Sequence, residues 1–164
     1  MIGYLGPQLL FLSSIYFLFM NNKITSLFIY FIGFFLNILL NIILKSIIQE
    51  PRPAEDKRLF NLEVLQGKRI GFDRYGMPSG HAEGVFFSTA FIFFTLKNYW
   101  ISVTYFLISL LTVYQRVKYK NHTFGQVFIG GIIGCFMGYF FYLYNNYVMK
   151  GKYREKKDDN APYY

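Results

Sequence analysis

Charged side chains make up only 16% of this 164-residue chain, and two long runs contain none of them. Residues 24–44 and 126–148 hold no Asp, Glu, Lys or Arg. A helix of roughly 20 apolar residues can cross a bilayer, whereas a single soluble domain rarely carries apolar runs of this length. The absence of charge from these runs argues against a soluble globular domain and favours an integral, multi-pass membrane protein.

Other absences narrow the possible protein classes and partners further. Cys135 is the only cysteine, so an intrachain disulfide is excluded. The N-terminus lacks a basic stretch followed by a small-residue cleavage site, so we expect the first apolar run to be retained as a span. Acids are outnumbered, 9 to 17, by basic residues, which lie mainly beside the apolar runs. We therefore expect a bilayer and lipid phosphates as partners, and no nucleic acid.

The apolar runs predict an all-α bundle of about five transmembrane helices, near residues 4–20, 24–45, 81–96, 101–114 and 123–148. Residues 1–148 would form a single domain, and the charged residues 149–164 are predicted to be a disordered tail. The polar residues 46–78 connect the second and third spans, with Pro51 and Pro53 stopping the helix before them. The fifth run contains small residues that allow close helix contact, namely Gly130, Gly131, Gly134 and Gly138.

Polar residues within the spans have two interpretations. Asn37, Asn41 and Lys45 are spaced four apart and share one helix face. The asparagines either bond to neighbouring helices or line the approach to a site at Lys45. Glu83 lies near the start of the third span, where an acid favours the helix dipole, and we expect a structural role for it.

Five spans would place the ends of the second and fourth and the starts of the third and fifth on one membrane face. Three blocks of sequence then meet there. They are Lys45 with Arg52-Pro53, the stretch Pro78-Ser79-Gly80-His81, and Arg116 with His122. The unpaired N–H groups at the start of the third helix suit an anion such as phosphate.

These blocks resemble the three-part signature of the type 2 phosphatidic acid phosphatase superfamily over roughly residues 30–140. Within it, the local sequences Gln49-Glu50-Pro51, Tyr75-Gly76-Met77 and Gln126-Val127 are most similar to the dolichyl-diphosphatase branch. The resemblance implies a lipid phosphatase/haloperoxidase-like core and hydrolysis of a polyprenyl (dolichyl) diphosphate to the monophosphate. It also implies a site on the lumenal side of the endoplasmic reticulum membrane and a role in N-glycosylation. Phosphatidic acid or a related phospholipid is the alternative substrate.

The resemblance also implies a role for each residue. His122 is expected to be the nucleophile, forming a phosphohistidine, and His81 the general acid. The residues expected to bind phosphate are Lys45, Arg52, Ser79, Gly80 and Arg116. With three cations to neutralise the phosphate, no metal or other cofactor is expected.

Two positions depart from the superfamily pattern. Gln115 replaces a common serine, and Gln126 replaces a common aspartate. Gln126 lies one helical turn after His122, so its amide oxygen can accept Nδ1–H and fix the tautomer, although it brings no charge. A catalytically inactive phospholipid-binding membrane protein therefore stays open as an alternative, as does a small channel or carrier.

Overall fold

The computed structural model describes residues 3–53, 65 and 74–155. Five α-helices occur in this part of the chain, with the bounds α1 (Gly6–Met20), α2 (Ile24–Ile48), α3 (Gly80–Leu96), α4 (Tyr99–Lys118) and α5 (Phe124–Glu155). The described ranges contain no β-strand, and one isolated antiparallel bridge joins Pro51 to Tyr75. The prediction of an all-α fold is confirmed.

Local sequence explains where the first two helices begin and end. Pro7 lies in the first turn of α1, where a missing N–H breaks no helical hydrogen bond. Asn22 has a φ of 55° in the tight turn between α1 and α2. The left-handed residue Gln49, with a φ of 52°, ends α2 just before Pro51.

Three helices extend beyond their predicted spans by more than one residue, and the first of these is α2, which was predicted over residues 24–45 and runs to Ile48. Helix α4 was predicted over residues 101–114 but runs from Tyr99 to Lys118. The Asn98 side chain caps its start and accepts from the Ile101 N–H at 3.1 Å. Helix α5 was predicted to end at residue 148 but continues to Glu155. The apolar pattern ends at residue 148, yet residues 149–155 contain no proline, so backbone hydrogen bonding continues into the predicted tail. Residues 156–164 and most of the polar connection lie outside the described residues.

Helix α3 is central and packs against each of the other four helices. Glycines bring the α5 backbone against it. A Cβ added at Gly130 would lie 2.6 Å from the Ser79 carbonyl oxygen, and one at Gly138 would lie 2.5 Å from the Phe87 carbonyl oxygen. The predicted close contact of these small residues is thus observed between α5 and α3.

The polarity of the bundle is partly inverted relative to a soluble protein. Its centre contains the aromatic group Tyr30, Phe87 and Phe91, but many polar side chains are also buried, including Ser14, Asn37, Thr112 and others. Large apolar side chains cover much of the outside. Helix α2 and residues 124–151 of α5 are long and apolar enough to cross a membrane, and α1 and α3 are shorter apolar helices. This distribution suits a bundle surrounded by lipid.

Candidate active site

The three sequence blocks meet at one end of the bundle. The Ser79 N–H donates to the Gln126 carbonyl oxygen at 3.1 Å, which joins the start of α3 to the start of α5. Arg52, just after α2, donates from Nη1 to the Asn121 carbonyl oxygen at 3.3 Å. Arg116 lies in the last turn of α4. The sequence predicted this meeting from the span count alone.

His122 lies in the connection before α5 and is only 2% exposed. Its Nδ1 is 2.9 Å from the Gly76 carbonyl oxygen and 3.2 Å from Gln126 Oε1. Both of these oxygens are acceptors, so Nδ1 carries the ring proton and donates. In the neutral ring Nε2 then has a free electron pair, and this atom lies 3.2 Å from Arg52 Nη1. The geometry therefore fixes the tautomer that a nitrogen nucleophile needs at Nε2.

The Gln126 side chain is fully buried, and its orientation is determined at both ends of the amide. Nε2 donates to Glu50 Oε1 at 2.7 Å and to the Pro51 carbonyl oxygen at 2.9 Å. Oε1 accepts from the Thr123 N–H at 3.2 Å as well as from His122. Thr123 Oγ1 in turn accepts from the Gln126 N–H at 3.2 Å, so Thr123 and Gln126 form a reciprocal capping box at the start of α5.

Three cations surround this ring. Lys45 and Arg116 are both 6% exposed, and Arg52 is half-buried. Burial, followed by the positive charges of Arg52, Arg116 and Lys45, lowers the pKa of His122 from 6.5 to about 3, with the bond to Gln126 acting in the opposite direction. The imidazole is therefore neutral at physiological pH, and the surrounding charge is suited to an anion.

The start of α3 adds hydrogen-bond donors. Ser79 is the N-cap residue, yet its side chain makes no capping bond. Its Oγ is fully buried and has no hydrogen-bond partner among the described residues, which is costly unless a ligand supplies one. A Cβ at Gly80 would lie 3.1 Å from Asn41 Oδ1, so a glycine fits here best. An anion at this helix start would satisfy the Ser79 hydroxyl.

His81 is half-buried in the first turn of α3, two residues after Ser79. Its ring centroid is 5.9 Å from that of Tyr4. With Gly80 and Asn41 it lines a cavity of about 300 Å³, whose other walls come from α1 and α2 and include Phe11 and Phe34. The second predicted histidine is therefore at the same end of the bundle as His122, beside an apolar cavity.

The buried polar residues of α2 are placed as predicted, on one face. Asn41 Nδ2 donates to Glu83 Oε2 at 2.6 Å and to the Pro78 carbonyl oxygen at 3.3 Å. Helix-to-helix bonding is thus observed for Asn41, which together with Asn37 also lines the cavity beside His81. Glu83 lies in the first turn of α3, as the sequence indicated, and it is fully buried, so its bond to Asn41 also joins α3 to α2.

Three contributors to the site were not identified from the sequence. Two of them, the carbonyls of Gly76 and Asn121, are backbone groups, whose hydrogen bonds cannot be predicted from residue type. Glu50 was recognised only as part of a local sequence, although it is the acid that bonds to Gln126. The Thr-x-x-Gln spacing of a capping box was the one available clue to the Thr123–Gln126 pair.

The chemistry available is that of phosphoryl transfer. A neutral imidazole nitrogen, three cations, a buried hydroxyl and a helix start surround one region, and a half-buried second imidazole lies near it. The described residues hold no group of three His, Cys, Asp or Glu side chains that could bind a metal ion.

Comparison with known proteins finds a family and several relatives. A family model described as PAP2 superfamily matches residues 26–150. Dolichyldiphosphatase 1 of Homo sapiens is 28% identical over 133 residues, which cover 71% of this chain and 52% of that protein. The Mus musculus protein of the same name is 31% identical over 121 residues, covering 64% and 47%. Lipid A 4'-phosphatase of Helicobacter pylori is 32% identical over 92 residues, covering 52% and 46%.

The chain thus spans about half the length of the curated relatives it matches. No solved structure matched it.

Proposed function

This chain belongs to the PAP2 superfamily, and we propose that it is a membrane lipid phosphatase. The proposed reaction is hydrolysis of a polyprenyl (dolichyl) diphosphate to the monophosphate and phosphate. The observation that carries the proposal is the buried His122, whose Nδ1–H is bonded to two oxygens while Nε2 is directed at Arg52. Relatives named dolichyldiphosphatase support the choice of substrate.

In the first step, His122 Nε2 forms a bond to the terminal phosphorus while the bridging P–O bond breaks. The electron pair of that bond leaves on the lipid monophosphate, and His81 donates a proton to it. In the second step, His81 takes a proton from a water molecule that attacks the phosphohistidine, which releases phosphate and restores His122. Each step moves one phosphoryl group and one proton.

The cations and donors stabilise the charge on the transferring group. Arg52, Arg116 and Lys45 would bind the phosphoryl oxygens, because guanidinium groups suit two oxygens at once and an ammonium acts as a compact charge. The buried hydroxyl of Ser79 and the N–H of Gly80 would donate to an oxygen as its charge increases. No step requires a metal ion or another cofactor.

The bilayer is the proposed environment of all five helices, with the site at one membrane surface. Support comes from the apolar exterior and from the two helices long enough to cross. We propose the endoplasmic reticulum membrane and dolichyl recycling for N-glycosylation as the setting. Glycosylation reporters fused at each terminus would test both the topology and the side of the membrane that the site faces.

The decisive experiment is phosphate release by the purified full chain in detergent from dolichyl diphosphate, dolichyl monophosphate and phosphatidic acid. We expect release from the diphosphate, and loss of at least about a thousandfold in His122→Ala. Gly151→Ala is the matched control, because a Cβ there meets nothing within 4 Å. Equal release by the wild type and His122→Ala would rule out the catalytic assignment, and release by neither above a protein-free blank would leave a phospholipid-binding protein.

A phospholipid monoester is the second candidate substrate. It is supported by the similarity to a lipid A 4'-phosphatase and to lipid phosphate phosphatase gamma of Arabidopsis thaliana, which is 30% identical over 77 residues. A higher kcat/KM for phosphatidic acid than for dolichyl diphosphate in the same substrate panel would favour it.

A further inference from the structure

Glu50 connects to both acceptors of the His122 ring proton. Its side-chain Oε1 accepts from Gln126 Nε2 at 2.7 Å, and Gln126 Oε1 accepts from His122. Its backbone carbonyl accepts from the Gly76 N–H at 2.7 Å, and the Gly76 carbonyl accepts from His122 at 2.9 Å. One residue at the end of α2 therefore supports both hydrogen bonds that orient the ring.

The amide of Gln126 needs such support. Its two ends are nearly equal in shape, and a half-turn of the amide would place Nε2 against the Nδ1–H of His122, donor against donor. A carboxylate can only accept, so Glu50 opposes that rotation by binding Nε2. The Pro51 carbonyl oxygen acts in the same direction at 2.9 Å.

Glu50 also supplies the negative charge that Gln126 lacks. When Nε2 bonds to phosphorus while Nδ1 keeps its proton, the ring becomes positively charged. The Gln126 amide is polarised between this ring and the Glu50 carboxylate, and hydrogen bonds in such a chain strengthen one another. A Gln126–Glu50 pair can thus do what a directly bonded aspartate would do, with the charge one amide further away.

We propose that Glu50 is a positioning residue for the nucleophile: acting through Gln126, it holds His122 in the tautomer with Nδ1 protonated and supports the charged ring. This inference rests on the proposed function of His122. Glu50 does not itself bind the substrate, so its removal lowers kcat and leaves KM little changed.

The kinetic test is a double-mutant cycle measured as phosphate release by the full chain. Glu50→Ala is expected to lower kcat by about 10–100-fold, and Glu50→Gln, which keeps an acceptor oxygen, to lower it less. In a Gln126→Ala background, Glu50→Ala is expected to have almost no further effect, because the two residues act as one unit. The control Gln49→Asn shortens an exposed neighbour that bonds only locally to the Ser46 carbonyl, and should keep full activity.

Wild-type kcat in both Glu50→Ala and Glu50→Gln would overturn the proposal, and so would effects of Glu50→Ala and Gln126→Ala that simply multiply. A spectroscopic measurement distinguishes failure of the proposal for Glu50 from failure of the proposed function. In ¹⁵N-histidine-labelled protein, the Nδ1–H signal of His122 should shift or broaden in Glu50→Ala, whether or not the protein is active on the lipids tried. An unchanged signal overturns the positioning role, whereas an inactive wild type with a changed signal overturns only the proposed function.

Discussion

The protonation state of His122 is open to direct measurement, because the chain has only two histidines. Burial and the charges of Arg52, Arg116 and Lys45 lower its pKa from 6.5 to about 3. This displacement corresponds to a free-energy difference on the order of 5 kcal/mol between the two protonation states. At pH 5 an ordinary histidine would be about 97% protonated, whereas His122 should be about 1% protonated.

The assay is ¹⁵N NMR of histidine-labelled protein in detergent micelles, titrated from pH 8 to pH 4, with His81→Gln used to assign the two rings. We expect His122 to stay neutral across this range, with its proton on Nδ1 because that atom faces the Gly76 and Gln126 oxygens. Removing one cation with Arg52→Gln should raise the pKa of His122, although burial, the larger cause, keeps it below 6.5.

Two results would refute this reasoning. The first is a His122 ring that titrates near 6.5, which would mean that water and counterions reach it. The second is a neutral ring with its proton on Nε2, which would leave no electron pair facing Arg52 and would remove the basis for nucleophilic attack.

Three further predictions concern the acid stability of the fold, the Ser79 hydroxyl and the packing of α5 against α3. Acid should destabilise the fold through His122, because its pKa in the folded state lies below its pKa in the unfolded state. Its contribution to the free energy of unfolding is complete above pH 6.5 and is lost as the pH falls towards 3, with a loss of about 1.4 kcal/mol at pH 5.5. Thermal unfolding of the wild type and His122→Gln at pH 7.5 and 5.5 measures this difference. Ser79→Ala should lower kcat/KM for phosphate release by about 10–100-fold without lowering thermal stability, because the buried hydroxyl has no described partner to lose. Gly134→Ala should destabilise the protein by about 1–3 kcal/mol, because its Cβ would overlap the Glu83 carbonyl oxygen, whereas Gly151→Ala should not lower the unfolding temperature.

Each of these has an opposing outcome. An equal acid shift in the wild type and His122→Gln would assign the acid sensitivity to other groups. Full activity in Ser79→Ala would remove the hydroxyl from phosphate binding. A Gly134→Ala variant as stable as Gly151→Ala would mean that α3 and α5 are less closely packed than described.

The sequence predicted the helices and the meeting of their ends because both depend on local signals. Apolar runs mark the helices, and the spacing of Asn37, Asn41 and Lys45 marks a shared face. Helix α5 continues past the predicted end of the fifth span, because the loss of apolar residues after residue 148 ends a hydrophobic pattern but not a helix.

The partners of His122 were less predictable. Gln126 follows from a spacing of one helical turn, and its bond to Nδ1 was expected. Its second partner, Glu50, is 76 positions away in sequence and lies just after the end of α2, so no local pattern joins the two. The position of Glu83 in the first turn of α3 was predicted, whereas its burial depends on packing against α2, which no local pattern shows.

The glycines of α5 have a mechanical consequence. Because Gly130 and Gly138 let the backbones of α3 and α5 approach closely, we expect these helices to move together, with Ser79 at the start of α3 and His122 just before α5. Helix α2, which carries Lys45, meets α3 through side chains such as Asn41 and Tyr30. We expect entry of a bulky headgroup to change the side-chain contacts between α2 and α3, while the end of α2 stays in place because Glu50 there supports the bonds that orient His122.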